Sequence, residues 1–159
     1  MRYLLILFFS LVSPLLFAKD IVYDTYHNVN YDYSIEYPKN ILTPHEADPD
    51  GAERTFVSKN GDARLSLRAN ANALNHSFEE IYNETCREEL AQEPTRTITY
   101  KVMKPNWFVI SGYREGGMIY YKKTILNNGM LKIFIFMYQA NKKAIYDPIT
   151  KHLVATFKG

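Results

Sequence analysis

The sequence predicts an α+β protein in which a mostly antiparallel β-sheet carries a helix on each face, an α/β/α sandwich. Three β-rich segments follow one another between residues 107 and 138, and the short Gly- and Asn-containing breaks between them are typical of an antiparallel meander. The last of these segments, from Ile133 to Tyr138, is apolar at every position, which predicts a central strand covered on both sides. Two further segments have the apolar periodicity of helices, so we expect one on each side.

The first 18 residues predict a secretory signal peptide. The segment begins with the positive Arg2, is nearly all apolar from Tyr3 to Val12, contains Pro14 and turns polar at Lys19. The alternative is an uncleaved membrane anchor, but a bilayer span needs about 20 apolar residues and this run is shorter and interrupted. We therefore expect residues 1–18 to be removed, leaving a secreted or periplasmic protein with no stable membrane anchor.

Residues 19–159 are predicted to form a single domain. A chain of this length buries roughly 68% of its unfolded surface in one core, so it needs no disulfide bonds. Cys86 is the only cysteine, and we expect a buried free thiol rather than an intermolecular bridge. Without Arg2 the formal net charge falls from +2 to +1, which gives no reason to expect a nucleic-acid partner.

The segment that follows the signal peptide predicts strands and a loop. Residues 21–33 are rich in tyrosine and form either a strand or an extended arm, and their aromatic side chains suit either a recognition surface or the cover of a sheet edge. Residues 33–37 alternate between apolar and polar side chains and stop at Pro38, which predicts a short strand near an edge. Residues 39–52 contain several turn-forming residues, so we expect a loop.

A β-hairpin and a helix are predicted next. Residues 53–58 and 63–71 flank a turn at Asn60-Gly61, which is a strong hairpin signal. Ser77 and Glu80 then have the spacing of a capping box, in which each side chain satisfies a free backbone N–H of the other residue. The apolar stripe of this helix is expected to comprise Phe78, Ile81, Tyr82, Cys86 and Leu90.

Another strand precedes the meander, and a helix ends the chain. Residues 95–103 alternate, which predicts a strand buried on one side through Ile98, Tyr100 and Val102. Asp147 is the predicted N-cap of the last helix, with Pro148 at its first position, where the missing N–H costs nothing. The buried stripe of this helix is expected to comprise Ile149, Leu153, Val154 and Phe157.

Several short motifs, taken in this order, resemble the PsbP-like superfamily. They are Tyr33-Ser-Ile-Glu-Tyr-Pro38, Asn60-Gly61, Ser77-Phe-Glu-Glu80, Ser111-Gly-Tyr113 and Ala155-Thr-Phe157. This superfamily includes the extrinsic PsbP subunit of photosystem II and small exported bacterial proteins. The resemblance implies an α/β/α sandwich whose members mostly act as accessory or binding proteins and share no catalytic centre. It therefore transfers no functional residue to this chain.

An acidic segment provides the most suggestive candidate site, a possible partner surface. Its members are Glu46, Asp48, Asp50 and Glu53. Alternating oxygen ligands ahead of Gly51 resemble the start of a calcium loop, but the downstream bidentate Glu is missing and Pro49 removes a backbone donor. A solvated acidic turn is the preferred interpretation. If the segment has a function, we expect an acidic surface for a basic partner.

The other motifs predict no catalytic residue, metal site or cofactor. His76 lies ten residues before Cys86, about 15 Å along a helix, which is too far to activate a nucleophile. The four histidines share no metal-ligand spacing. Ser111-Gly112 lacks the preceding glycine and the strand-to-helix turn of a nucleophile elbow.

These observations predict an exported, non-enzymatic accessory or protein-binding module of the cell envelope, whose partner is another envelope or secreted protein. A periplasmic immunity protein that neutralises a toxic effector is one alternative, compatible with small size, export and the acidic segment. The other alternative is a small envelope enzyme whose site combines Tyr113, Arg114 and Glu115 with carboxylates of the acidic segment. A cleft where these groups meet would favour the enzyme, whereas a flat or tyrosine-lined face would favour binding.

Overall fold

A computed structural model describes residues 20–159, so the predicted signal peptide lies outside the described residues. The strands are β1 (Tyr23–Asn28), β2 (Tyr33–Pro38), β3 (Leu42–Ala47), β4 (Glu53–Ser58), β5 (Ala63–Ala71), β6 (Thr97–Met103), β7 (Trp107–Arg114), β8 (Met118–Asn127) and β9 (Met130–Gln139). The helices are α1 (Phe78–Ala91) and α2 (Lys143–Thr156). Within residues 20–159, neither helix has the length and apolar character needed to cross a bilayer.

Seven strands form one antiparallel sheet in the order β3-β4-β5-β9-β8-β7-β6, and β1 pairs with β2 in a separate two-stranded sheet. The predicted meander is present as β7, β8 and β9, and β9 is the central strand. Asn128 and Gly129 both have positive φ angles, as a two-residue hairpin turn requires. The α+β class with a mostly antiparallel sheet is therefore confirmed.

Two buried clusters hold these elements together. The larger cluster joins β2, β5 and α2 to alternate residues of β9, including Phe134 and Phe136. The smaller cluster is centred on Phe108 and Tyr120 and includes Ile81 of α1. Other residues of β9 pack against the smaller cluster, so the central strand contributes side chains to both.

The segment predicted as a loop contains a strand, because residues 42–47 pair with β4 at the edge of the large sheet. Leu42 is completely buried in the larger cluster, and this burial favours pairing over a free loop. The register shifts between Pro44 and Ala47, and a proline in such an irregular edge strand removes little hydrogen bonding from the sheet.

The last helix begins earlier than predicted. It starts at Lys143, and Pro148 lies inside it instead of at its first position. Asp147 does not cap the helix, since its carboxylate accepts a 2.7 Å hydrogen bond from the Tyr138 hydroxyl. Tyr146, the residue before Asp147, is buried, so tertiary contacts extend the helix to the N-terminal side of Pro148. The predicted stripe is confirmed at Ile149 and Leu153, which are completely buried. Val154 is half-buried, and Phe157 is buried but follows the last helical residue, Thr156.

The predicted one-sided burial of residues 95–103 holds in part, because Ile98 and Val102 are half-buried but Tyr100 is not. β6 is the other edge of the large sheet, and Tyr100 is 51% exposed. The pairing of β6 with β7 shifts between Ile98 and Tyr100, and Gly112 lies opposite Ile98. An ideal Cβ on Gly112 would lie 1.8 Å from the carbonyl oxygen of Thr97, so only glycine allows this close approach.

We expect Gly112→Ala to lower the free energy of unfolding by roughly 1–3 kcal/mol, because the added methyl group must push the β6 backbone away. Urea unfolding measures this change. Lys101→Ala, an exposed substitution on β6, is the control and should change stability by less than about 0.5 kcal/mol. Equal stability of the two variants would contradict the packing described for Gly112.

A carboxylate in the β4–β5 turn connects this hairpin to α2. Asp62 accepts hydrogen bonds from the hydroxyls of Tyr146 and Ser58 and from the side-chain amide of Asn60. Burial raises the pKa of Asp62, but these three hydrogen bonds and the charge of Lys142 outweigh burial and hold the pKa below its usual value.

A lowered pKa means that ionised Asp62 stabilises the fold above its unfolded-state pKa of about 3.9, and that this contribution is lost as the pH falls through the folded-state value. Asp62→Asn should therefore destabilise the protein at pH 6 and have a smaller effect near pH 2.5, as measured by urea unfolding. The control is Lys59→Gln in the same turn, whose effect should be the same at both pH values. An undiminished effect of Asp62→Asn at pH 2.5 would contradict this assignment.

Candidate binding groove

An open groove of about 610 Å³ lies between α1 and one face of the large sheet. Its floor is formed by Leu131, Ile133, Ile135 and Met137 of β9. One wall comes from β5 and comprises Arg64, Ser66, Arg68 and Asn70. The opposite wall comes from α1 and comprises Ile81, Glu84, Thr85, Glu88 and Glu89.

The floor follows from the alternation of side chains along β9. Phe134 and Phe136 are completely buried in the larger cluster. The residues that alternate with them point to the other face, where Ile133 and Ile135 are only half-buried. Across the sheet, Ile135 pairs with Ser66 of β5 on one side and with Lys122 of β8 on the other. The two-sided apolar pattern of β9 thus leaves aliphatic side chains accessible in the groove.

The two walls carry opposite charges. Arg64 and Arg68 are exposed on the β5 wall, and Glu84 and Glu88 lie on the α1 wall. Arg68 forms a 3.0 Å ion pair with Glu53 in which both side chains are nearly half exposed. Arg64 is within 3.5 Å of the Thr55 and Ser66 hydroxyls, and its side chain is exposed. Both guanidinium groups therefore have donors available to a ligand.

A buried ion cluster lies at one end of the groove. The Glu89 side chain is only 4% exposed, and its Oε2 is 2.7 Å from Nη1 of Arg96 and 3.1 Å from Nη2 of Arg114. Its Oε1 is 3.3 Å from Nζ of Lys122. Glu93 supplies Arg96 with a second carboxylate at 3.0 Å. Three cations therefore share one buried carboxylate, and these contacts offset the cost of removing it from water.

The cluster fixes the second half of α1 onto the sheet. Arg114 belongs to β7 and Lys122 to β8, so Glu89 connects the helix to two adjacent strands. The Arg114 guanidinium also lies 5.0 Å from the centre of the Tyr120 ring. Burial, and then the nearby charge of Glu89, raise the pKa of Tyr120 to about 12, which keeps its hydroxyl neutral at ordinary pH. These contacts preform the groove before any ligand binds.

The residues considered for an enzyme do not meet in this groove. Arg114 lines it, but Tyr113 is 40% exposed and alternation along β7 sets it on the opposite face. Glu115 is exposed in the following turn, where its backbone N–H donates to a carboxylate oxygen of Glu93 at 3.3 Å. Of the three, only Arg114 contributes a side chain to the groove.

The acidic segment forms the tip of the β3–β4 hairpin. Asp48 and Asp50 are exposed there, and the Gly51 N–H donates to the Asp48 carbonyl at 2.9 Å with a positive φ at Gly51. Glu46 belongs to β3. Glu53 is at the start of β4, where its ion pair with Arg68 puts it beside the groove. The predicted partner surface is therefore accessible at Asp48 and Asp50, and it stays a prediction.

Sequence reasoning missed Glu89. The predicted stripe included Leu90, but Leu90 is 51% exposed, and the buried residues of α1 are Ile81, Thr85 and Glu89. Their spacing of four places them on one face, but a stripe chosen by apolar residues alone leaves out a buried carboxylate. Cys86, expected to be buried, is half-buried beside the smaller cluster.

The fold is similar to those of solved proteins. The solution structure of cyanobacterial PsbP from Synechocystis sp. PCC 6803 matches with a TM-score of 0.67 and 9% identity, covering 92% of this chain and 98% of that one. A protein of unknown function from Pseudomonas aeruginosa matches with a TM-score of 0.56 and 12% identity, covering 86% and 96%. No protein-family model and no curated protein matches the sequence. The chain therefore has a PsbP-like fold.

Glu89→Gln should lower the free energy of unfolding by about 3 kcal/mol, because it removes the anion shared by the buried Arg96 and the partly buried Arg114 and Lys122. Urea unfolding measures the loss. The matched control is Glu88→Gln at the exposed neighbouring position, which should change stability by less than about 0.5 kcal/mol. Similar values for both variants would show that the cluster does not anchor α1.

Proposed function

We propose that this chain, with its PsbP-like fold, is a non-enzymatic accessory protein that binds another protein through the groove beside α1. The groove carries the proposal because it combines a half-buried aliphatic floor with charged, accessible walls. An apolar centre with a polar rim is the usual composition of a protein-binding surface. The ion cluster at Glu89 supports the same function, since a preformed surface loses less conformational entropy on binding.

We further infer that α1 and α2 cover opposite faces of the large sheet. The β8 and β9 residues that pack with the α1 cluster include Tyr120 and Met137, and those that pack with the α2 cluster include Ile119 and Phe136. Adjacent residues of a strand point to opposite faces, so this division supports a three-layer arrangement. In that arrangement, the groove is the part of the α1 face that α1 leaves open.

The proposed location is the cell envelope, with the protein secreted or periplasmic. The support is the segment from Arg2 to Val12, which has the charge and apolar pattern of a secretory signal. The partner is then expected to be an envelope or secreted protein.

A periplasmic immunity protein is a narrower form of this function. It draws support from Asp48 and Asp50, whose exposed carboxylates at a hairpin tip suit a basic effector. In that case the captured partner would be a toxin, and the protein would protect cells that produce it.

The alternative is a small envelope enzyme, for which Glu89 is the buried carboxylate that the groove offers. We favour binding because both oxygens of Glu89 already accept hydrogen bonds from Arg96, Arg114 and Lys122. A general base needs a free oxygen within reach of the substrate's proton. Glu89 is therefore better suited to holding α1 in place.

In-cell crosslinking tests the proposed function. A C-terminally tagged chain is expressed in its native host, crosslinked with formaldehyde and purified under denaturing conditions from separated envelope and cytoplasmic fractions. We expect one reproducible protein adduct in the envelope fraction, identified by mass spectrometry. Recovery of the chain only in the cytoplasm, or the absence of any adduct, would overturn the proposal.

The acidic segment yields a separate prediction in the same assay. Replacing Glu46, Asp48, Asp50 and Glu53 together by their amides should reduce the yield of the adduct if a basic partner contacts this segment. The control is Lys101→Gln on the distant edge strand β6, which changes charge elsewhere. An unchanged yield would exclude the acidic segment from the interface.

A further inference from the structure

We propose that the groove binds a single α-helix of the partner protein, whose aliphatic stripe has acidic residues along one side and basic residues along the other. This inference rests on the proposed function and specifies the chemistry of the partner. Three observations support it, namely the distance between β7 under α1 and β9 on the groove floor, the hydrogen bonding of the floor strands and the opposite charges of the walls.

The spacing of the strands leaves room for a second helix beside α1. The Phe78 and Phe108 rings are 5.3 Å apart at one end of α1, and Glu89 meets Arg114 at the other, so α1 runs along β7. Neighbouring strands are about 4.8 Å apart, which puts β9 roughly 10 Å from β7. Packed helices have interaxial distances of about 8–10 Å. A second helix beside α1 would therefore lie directly over β9.

The floor favours a helix over an extended peptide. β9 pairs with both β5 and β8, and β5 pairs with both β4 and β9, so the backbone groups of these strands are already used within the sheet. An extended peptide in the groove would find only side chains and would leave its own backbone groups unpaired. A helix satisfies its backbone internally and can place apolar side chains against Ile133 and Ile135.

The walls determine the charge pattern of the helix. Residues on the flank facing β5 would meet Arg64 and Arg68, and residues on the other flank would meet Glu84 and Glu88. The β5 wall extends over six residue steps from Arg64 to Asn70, or about 20 Å, which corresponds to roughly 13 helical residues. The expected partner segment is therefore a helix of three to four turns with acidic and basic flanks.

Three synthetic 14-residue peptides test this inference by fluorescence anisotropy. All are stapled on their solvent side as helices and share one leucine stripe, and their flanks are Glu/Lys, Lys/Lys or Glu/Glu. The Glu/Lys peptide should bind the wild-type protein most tightly, by roughly 2- to 30-fold over each of the other two, which corresponds to two exposed ion pairs. The Lys/Lys peptide lacks the pairs on the β5 side, and the Glu/Glu peptide lacks those on the α1 side. The same stripe in an unstapled, proline-containing peptide should bind weakly.

The same peptides are then measured on variants of the protein, one that reverses the charge of the β5 wall and one that makes the groove floor polar. Arg64→Glu with Arg68→Gln makes the β5 wall acidic, so the preference should change to the Lys/Lys peptide. Ile133→Ser should weaken binding of all three stapled peptides, whereas Lys101→Glu on β6 should leave every affinity unchanged. Urea unfolding verifies that each variant is folded.

Equal affinities for the three peptides, an unchanged order in the arginine variant, or equal binding of the extended peptide would overturn the inference. The crosslinking assay separates this failure from failure of the proposed function. If the peptides fail but the adduct of the wild-type chain is lost in the Arg64→Glu/Arg68→Gln and Ile133→Ser variants, the groove remains the binding site and only its helical occupant is rejected. An adduct that persists in these variants would reject the groove itself. The loss of all adducts from the wild-type chain would reject the binding function itself.

Discussion

The buried carboxylate of Glu89 determines where α1 lies, and the groove follows from that position. A charge inside a protein must be paired closely, because the free energy lost on leaving water is large. Arg114 on β7 and Lys122 on β8 provide the pairing partners, so the helix is held over that half of the sheet. The apolar contacts of Ile81 hold the first half of the helix in the same way, so the aliphatic residues of β9 stay accessible beside α1.

The parts of the fold that depend on short-range chemistry could be predicted from the sequence. Asn128 and Gly129 are residue types that accept a positive φ, which is enough to predict their turn. Ser77 and Glu80 form the predicted capping box. The central position of β9 was also predictable, because residues 133–138 are apolar on both faces, although one of these faces is only half-buried in the structure. In each case the deciding residues are neighbours along the chain.

The features that could not be predicted depend on residues far apart in sequence. Lys122 is 33 positions from Glu89, and no local pattern indicates that the two will meet. The start of α2 depends on Tyr146 reaching Asp62, 84 positions away, and such contacts override the usual effect of Pro148. The candidate groove was missed for the same reason, since its floor and walls come from three separate elements.

Both edges of the large sheet are irregular, and this limits how the protein can self-associate. The ladder is interrupted between Pro44 and Ala47 on one outer strand, and between Ile98 and Tyr100 on the other. A regular, flat edge is a template on which further chains can add strands and grow into aggregates. A bulge bends and twists its strand, so these two interruptions disfavour the addition of a further strand at either edge.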